Sequence, residues 1–400
     1  MHLFSQQPYW LMKDGIINSY PSLTRDISTD VAIMGAGISG ALVAYYLRNS
    51  GFSVTVLDRR HVGMGSTAAS TAFLQYEIDT PLHKLCGYVG EENAVRSYEL
   101  CRQAIYIIEN ICKLLKPDFD FHIRPSLQYA TYQKHMNDLQ KEYELRKKHG
   151  FDVAWLAPAD IQDKFGITAP GAILSEDGGE VDAYILAHAL IAAVHKQGHT
   201  VHNNTNIVNT EQRERGVVLH TEAGYKVKAK KLIVACGYES LKYVPKKIAD
   251  IHTTYALVSE PLADIKGWYK SSLVWETATP YLYFRRVNGD RILVGGKDDN
   301  YHHPNMLPSV IRNKTAMLET AFGKRMRHIP LKADFSWSGA FAVTKDGLPY
   351  IGQVPGIRNT YFALGFGGNG ITFSVIAADI LRDELCGRKN ADRELFTFNR

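Results

Sequence analysis

Apolar and polar residues alternate in blocks that name their own secondary structure. Val31, Ala32, Ile33 and Met34 form a short uninterrupted apolar run, the pattern of a parallel strand buried on both faces. From Val31 to Leu47 no charged residue occurs over 17 positions. A bilayer span needs about 20 mostly apolar residues, and this stretch is broken by Gly35, Gly37 and Gly40. It predicts a strand, a turn and a helix from Ala41 to Arg48, stopped at Gly51, followed by a second strand in SVTVLD (53–58). Cys101, Ile105, Ile108, Cys112 and Leu115 recur at intervals of four and three, one buried face of a helix that Pro117 ends. KEYELRKK (141–148) predicts a charged helix with i,i+4 pairs Glu142–Arg146 and Glu144–Lys148 on a solvated face. Asp182 is placed to cap a helix through Ala193, with Gly198 behind it.

Strand patterns follow. VVLHT and YKVKA around a Gly-containing link predict one hairpin, and YLYFRR and RILVG around Asn288-Gly289 another. LIVA (232–235) reads as a buried strand, and 361–387 as strand, glycine-rich turn and helix. Residues 1–29 are an aromatic-containing arm (Tyr9, Trp10, Tyr20) without a period. The chain has 400 residues, beyond the ~250–300 at which single cores stop growing. It shows no repeat and no linker, so two domains built from non-contiguous segments are expected. Lys+Arg minus Asp+Glu is 46 − 41 = +5 with no dense basic block, which argues against a nucleic-acid partner. Five widely spaced cysteines and an N-terminus without a basic-then-apolar layout predict a reducing, cytoplasmic setting, no disulfide framework and no transmembrane segment.

The chemistry begins at Gly35-Ala-Gly37-Ile38-Ser39-Gly40. This GxGxxG follows an apolar strand and opens a helix, and Asp58 ends the next strand 18 positions on, close to the ~20 of a dinucleotide fingerprint. Gly35 permits the tight turn, Gly37 lets backbone approach a pyrophosphate, and Gly40 lets helix and strand pack closely. The helix N-terminus offers N–H groups to phosphates, and Asp58 can accept hydrogen bonds from ribose hydroxyls. FAD and NAD share this fingerprint.

Further segments narrow the choice. After Asp58 come Arg59-Arg60 and Gly63-Met-Gly65-Ser66-Thr67-Ala-Ala69-Ser70-Thr71-Ala72. LIVACG spans Leu232–Gly237. Trp337-Ser-Gly339, Lys345-Asp346-Gly347-Leu-Pro349-Tyr-Ile351-Gly352 and Gly365-Phe-Gly367-Gly368-Asn369-Gly370-Ile371-Thr372 stand near the end. In this order, from about residue 28 to 388, the chain resembles the D-amino-acid oxidase and glycine oxidase superfamily of flavoproteins. The resemblance implies an α/β fold: a Rossmann-like FAD-binding domain (1–84, 178–249 and 335–400) and an interleaved antiparallel-sheet substrate domain (85–177 and 250–334). It implies that the fingerprint and Asp58 hold the ADP half of FAD, with Arg59 and Gly352 in the cofactor set. Gly65, Ser66 and Thr67 would contact the pyrophosphate or ribityl chain. Ser70, Thr71 and Ala72 would line the flavin, Ile207, Ala235, Cys236 and Gly237 would sit by the adenosine, and Gly367–Thr372 would face the pyrimidine end. There, the glycine turn entering a helix supplies N–H groups to the negative charge of reduced flavin.

Departures from the family pattern shape the expected chemistry. The family's carboxylate-clamping arginine stands four residues after the Trp of the WxG segment, and that position is Phe341, which cannot make a bidentate Arg–carboxylate contact. Arg285 or Arg286 could serve from the sheet, or be structural. A less polar amine, or one whose carboxylate lies further away, becomes the better substrate. Ala69 stands where some relatives carry a flavin-linking histidine, and Gly339–Val343 contains no cysteine, so non-covalent FAD is expected. Lys297 could lie near the flavin to aid reaction with oxygen. Tyr281 and Tyr283 could line the pocket and attract a cationic amine. Asp298, Asp299, His302 and His303 read as a polar loop, not a metal centre. The expected reaction is oxidation of a C–N bond by hydride transfer to flavin N5, with oxygen or an electron carrier as the final acceptor. The alternatives are a dehydrogenase of an alcohol or polyol phosphate, and a flavin-bearing scaffold protein.

Overall fold

The computed structural model describes residues 3–301, 307–364 and 366–400. The expected β-α-β start is present: strand Ile27–Met34, helix Ile38–Leu47 and strand Val54–Leu57, the two strands parallel. They sit in an eight-stranded sheet ordered Tyr350–Gln353, Thr360–Leu364, Lys226–Val234, Ile27–Met34, Val54–Leu57 and Thr200–His202. All neighbours are parallel except the first pair. The expected hairpin forms as Gly216–Thr221 against Lys226–Val234, and Ile207–Arg213 extends it. The uncharged stretch is buried because this sheet is covered on both faces. Ile33 and Val56 point to one core with helices Ile38–Leu47, Ala183–Lys196 and Gly370–Leu385, while Ala32, Met34 and Leu57 point to another under the hairpin. Asp182 caps its helix as expected, accepting from the N–H groups of Tyr184 and Ile185 at 3.0 Å.

The second sheet has ten strands, mostly antiparallel. Its central run is Ala333–Thr344, Ala249–Ser259, Arg291–Asp299 and Leu282–Val287, with Asn288 and Gly289 at positive φ in the expected hairpin turn. Helix Pro308–Arg325 packs on one face, over Leu257, Phe284 and Val294. Ala256, Tyr283 and Trp337 face the other way, toward the first sheet. The strands Phe4–Ser5 and Phe73–Leu74 and the whole of Ala333–Thr344 pair into this sheet, although most of these residues fall in stretches expected on the FAD-binding side. The chain therefore crosses between the two sheets repeatedly. The N-terminal arm is part of the architecture: Tyr9 and Trp10 are core residues.

One expectation is overturned. Glu142 and Arg146 do not lie on a solvated face; each side chain is 1% exposed and they pair at 2.7 Å. Helix Met136–Lys148 turns this edge onto residues 76–83. Glu142 accepts the backbone N–H groups of Leu82 and His83 and the His83 ring at 2.7–3.0 Å. Arg146 bonds Gln128 and pairs with Glu77, and lies 5.7 Å from the Tyr76 ring and 5.8 Å from that of Tyr98. An i,i+4 acid–base pair carries no mark of such partners, because they come from other segments. Burial opposes ionisation of Glu142, but Arg146 and the His83 contacts hold its pKa down at about 2. A carboxylate depressed below its ordinary 4.5 stabilises the fold at neutral pH and loses that contribution as pH falls from about 4.5 to 2. Glu142→Gln should therefore cost about 3–5 kcal/mol at pH 7, as expected for breaking a buried pair. It should also flatten the loss of stability between pH 4.5 and 2, both read from urea midpoints.

Candidate cofactor crevice and catalytic end

A crevice runs between the two sheets, and the glycine turn after Ile27–Met34 forms its floor. Gly35 has φ +107°, and a Cβ there would strike the Ala235 carbonyl; a Cβ on Gly40 would strike the Gly35 carbonyl. Only glycine lets this turn pass beneath the neighbouring strand while the helix starts against it. Gly37 faces the crevice, and a Cβ there would lie 3.0 Å from Thr67 Oγ1. That hydroxyl accepts the Ile38 N–H at 2.9 Å. Ser66 Oγ, beside it, is buried without a hydrogen-bond partner. A bare glycine floor, a helix start whose own N-cap Gly37 has no side chain to cap it, and an orphaned buried hydroxyl together fit a pyrophosphate.

Asp58 and Arg59 line the next section. The Asp58 carboxylate accepts the Ala36 N–H at 2.6 Å and the Arg60 N–H at 2.8 Å, so it braces the glycine turn as well as facing the crevice. Burial raises its pKa against those two donors. Glu239 pairs with both Arg59 and Arg60; neither it nor Tyr238 was singled out in the sequence, yet both line the wall. Ile207, Ala235, Cys236 and Gly237 also line the crevice.

Residues 65–72 form the wall toward the second sheet. Gly65, Ser66, Thr67, Ser70, Thr71 and Ala72 all line the crevice. Three successive carbonyls of this segment are held from outside: Trp337 Nε1 donates to Ala69 O at 2.9 Å, Trp10 Nε1 to Ser70 O at 2.7 Å, and Arg285 Nε to Thr71 O at 3.0 Å. This settles the position of Arg285. It is fully buried, pairs with Glu180 at 2.9 Å, and does not line the crevice. Arg286 bonds Ser271 and the Gly289 carbonyl and is likewise absent from the lining.

At the far end Gly367, Gly368, Gly370 and Ile371 line the wall. Helix Gly370–Leu385 begins there with no side-chain cap, running on from the 3₁₀ turn Gly367–Asn369. The Gly368 N–H is taken by Asp79 at 2.8 Å. Asp79 is solvent-accessible yet set in a dense surround of protein, and that desolvation raises its carboxyl. Asn369 does not line the crevice; its amide donates to the carbonyls of Gln75 and Glu77 and so ties the turn to the buried ion network. Gly352 and Thr372 are also set back, Thr372 bonding the Asn369 carbonyl.

The second sheet presents Thr254, Ala256, Tyr281, Tyr283, Trp337 and Phe341 as the opposite wall. Phe341 stands in the crevice, edge-on to His252. Lys297 does not. Gly295 is opposite both Ala256 and Tyr283, but Asp299 is opposite Thr253, with the register broken between. Gly296 and Lys297 have positive φ and form a bulge. The extra residue flips the alternation, so Asp298, not Lys297, falls on the sheet face of Thr254, next to Thr254 and Tyr281 but outside the crevice lining itself. Asp299 lies on the other face, bonded to Tyr255 and Lys314 at 2.6 Å. His302, His303 and Gly365 lie outside the described residues.

Comparison with known proteins points one way. The family described as FAD dependent oxidoreductase (DAO) matches residues 30–384. Glycine oxidase of Geobacillus kaustophilus (strain HTA426) is 24% identical over 397 residues, covering 92% of this chain and 96% of its own. A crystal structure of glycine oxidase from Geobacillus kaustophilus superposes with TM-score 0.78 at 21% identity over 91% of this chain and 96% of that one. Gamma-glutamylputrescine oxidoreductase of Escherichia coli (strain K12) is 23% identical over 92% of this chain and 86% of its own. D-amino acid dehydrogenase of Vibrio vulnificus (strain CMCP6) is 24% identical over 92% of this chain and 99% of its own. The glycine floor is directly testable. Gly37→Val should give a folded protein by circular dichroism whose flavin-to-protein absorbance ratio is below a tenth of wild type; full flavin retention would place the phosphates elsewhere.

Proposed function

The chain belongs to the family of FAD-dependent oxidoreductases, and we propose that it oxidises the C–N bond of an amine or amino-acid-like substrate. The observation that carries this reading is the wall of Tyr281, Tyr283 and Phe341 facing the pinned segment Ser70–Ala72: a narrow aromatic slot. Among the described lining residues the cations Arg59, Arg60 and Lys242 all belong to the Asp58–Glu239 section, so a phosphate at the aromatic end has nothing to bind. The relatives named above carry glycine, gamma-glutamylputrescine and a D-amino acid in their names, each containing a C–N bond.

When bound, FAD supplies the acceptor of a hydride from the carbon next to nitrogen. The protein's part is orientation and field. Trp10, Trp337 and Arg285 fix the wall at residues 69–71, so the substrate's reacting carbon is positioned against a rigid surface. The positive end of helix Gly370–Leu385, whose Gly370 and Ile371 line the crevice, would face negative charge at the pyrimidine end. Tyr283 and Phe341 exclude water while the neutral amine is held; the imine product hydrolyses in solvent. Oxygen or an electron carrier completes the cycle. No helix among the described residues is long and apolar enough to cross a membrane. All five thiols are free, and a cytoplasmic location is part of the proposal.

The purified protein should be yellow, and acid precipitation should release the colour, since no flavin-linking residue stands at Ala69. Anaerobic addition of amines or amino acids should bleach it; bleaching by polyol phosphates alone would overturn the reading. Phe341→Arg should raise kcat/KM for small α-amino acids at least tenfold, equivalent to about 1.4 kcal/mol. No change would show that position 341 does not govern carboxylate binding.

A further inference from the structure

The bulge at Gly296–Lys297 has a chemical consequence. Regular alternation from Gly295 would carry a lysine onto the sheet face of Thr254; the extra residue carries Asp298 onto that face instead, at the edge of the crevice behind Thr254 and Tyr281. Its surroundings come from four elements. Thr254 stands on strand Ala249–Ser259, Tyr281 just before strand Leu282–Val287, Asp79 after strand Phe73–Leu74, and Lys314 on helix Pro308–Arg325. Lys314 is committed elsewhere, to Asp299 at 2.6 Å and the Lys297 carbonyl at 2.8 Å. Asp298 Oδ1 and Thr254 Oγ1 are both buried with no partner in hydrogen-bonding geometry. Buried polar atoms are almost always bonded, so a carboxylate oxygen and a hydroxyl that miss good bonding geometry with each other, at the edge of a ligand crevice, leave room for a donor from the ligand. Burial raises the Asp298 carboxyl to about 6, against the hydroxyls of Thr254 and Tyr281, with the charge of Asp79 adding to the rise. The Tyr283 ring lies across Gly295, in space that any side chain there would take. It meets Tyr281 with centroids 5.6 Å apart. Carboxylate and aromatic faces together attract cations and repel a carboxylate.

Resting on the C–N oxidation proposed above, we infer that Asp298, with Thr254, Tyr281 and Tyr283, is a cation-binding subsite that selects amines lacking an α-carboxylate. The substrate's nitrogen enters as an ammonium group, donates N–H bonds to Asp298 and Thr254, and passes one proton to the Asp298 carboxylate, which leaves the neutral amine that is oxidised. Free α-amino acids are disfavoured twice, by Phe341 where a clamp would stand and by the Asp298 carboxylate.

The test reads binding, not turnover. tert-Butylammonium has N–H donors but no α-hydrogen, so it is not oxidised; pivalate is its carboxylate counterpart. Titrated into the flavin-loaded protein at pH 8 by calorimetry, tert-butylammonium should bind saturably and at least tenfold more tightly than pivalate. Its affinity should fall as pH drops through about 6, where Asp298 takes up a proton. Asp298→Asn should weaken the cation at least tenfold with flavin content unchanged. Tighter binding of pivalate, binding of neither probe, or an Asp298→Asn affinity within twofold of wild type would overturn the subsite. The wild-type comparison stands even if the variant fails to fold. Bleaching by α-amino acids together with a preference for pivalate would keep the C–N reading and remove the subsite. Cation binding without bleaching by any amine would remove the activity and keep the subsite.

Discussion

Three consecutive carbonyls hold this protein's working parts in register. Ala69, Ser70 and Thr71 each accept one hydrogen bond, from Trp337, Trp10 and Arg285 in turn. The donors come from strand Ala333–Thr344, from the N-terminal arm and from the hairpin strand Leu282–Val287. All three donors are essentially fully buried, where a lost bond leaves an unsatisfied polar group costing about 1–3 kcal/mol. Residues 65–72 form a wall of the crevice that is tied to the second sheet. Fixing them fixes the gap between glycine floor and aromatic roof. Arg285 is therefore a positioning residue: Glu180 neutralises it at one end and the Thr71 carbonyl takes it at the other.

The crevice is divided electrostatically along its length. One section has the helix start at Gly37, Thr67, and the arginines that Glu239 gathers; it suits phosphates. The other has the start of helix Gly370–Leu385 and two tyrosines, with Asp79 and Asp298 close behind them. Asn369 links this end to the interior by bonding the carbonyls of Gln75 and Glu77, and Glu77 belongs to the buried Arg146 network. The helix that opens at Gly370, at this end of the crevice, is thus anchored to an ion cluster in the core. A buried pair of this kind contributes little net stability but strongly penalises displacement, which suits a turn that must not drift.

Most of the cofactor half was legible because its rules are local. A glycine that must avoid the carbonyl of Ala235, or of Gly35, announces itself within six residues. The buried run Val31–Met34 and the period of Cys101–Cys112 depend only on which neighbours are apolar. The roles of Arg146, Arg285 and Asn369 were not legible, because each is defined by partners that the fold brings from distant segments. Gly352 and Thr372 belong to recognisable motifs, yet both stand one layer behind the crevice. A motif marks a packing unit, and only some of its residues reach the ligand.

The substrate end was the least legible part for a stricter reason. Side chains on a strand alternate with period two, so the identity of a wall residue depends on register to a single position. Lys297 and Asp298 are adjacent and opposite in charge. Whichever falls on the sheet face of Thr254 sets the sign of the field on the substrate, and the choice is made by a bulge at Gly296–Lys297. Glycine at 296 accommodates φ +126° without strain, whereas Lys297 is held at φ +58° by pairing on both sides: its N–H reaches the Tyr281 carbonyl and its own carbonyl accepts from Lys314. The same tyrosine whose backbone secures the bulge presents its side chain to the crevice. The geometry that excludes the lysine and the geometry that shapes the aromatic wall are therefore one arrangement, and a change at either position would be felt as a change in which charge the substrate meets.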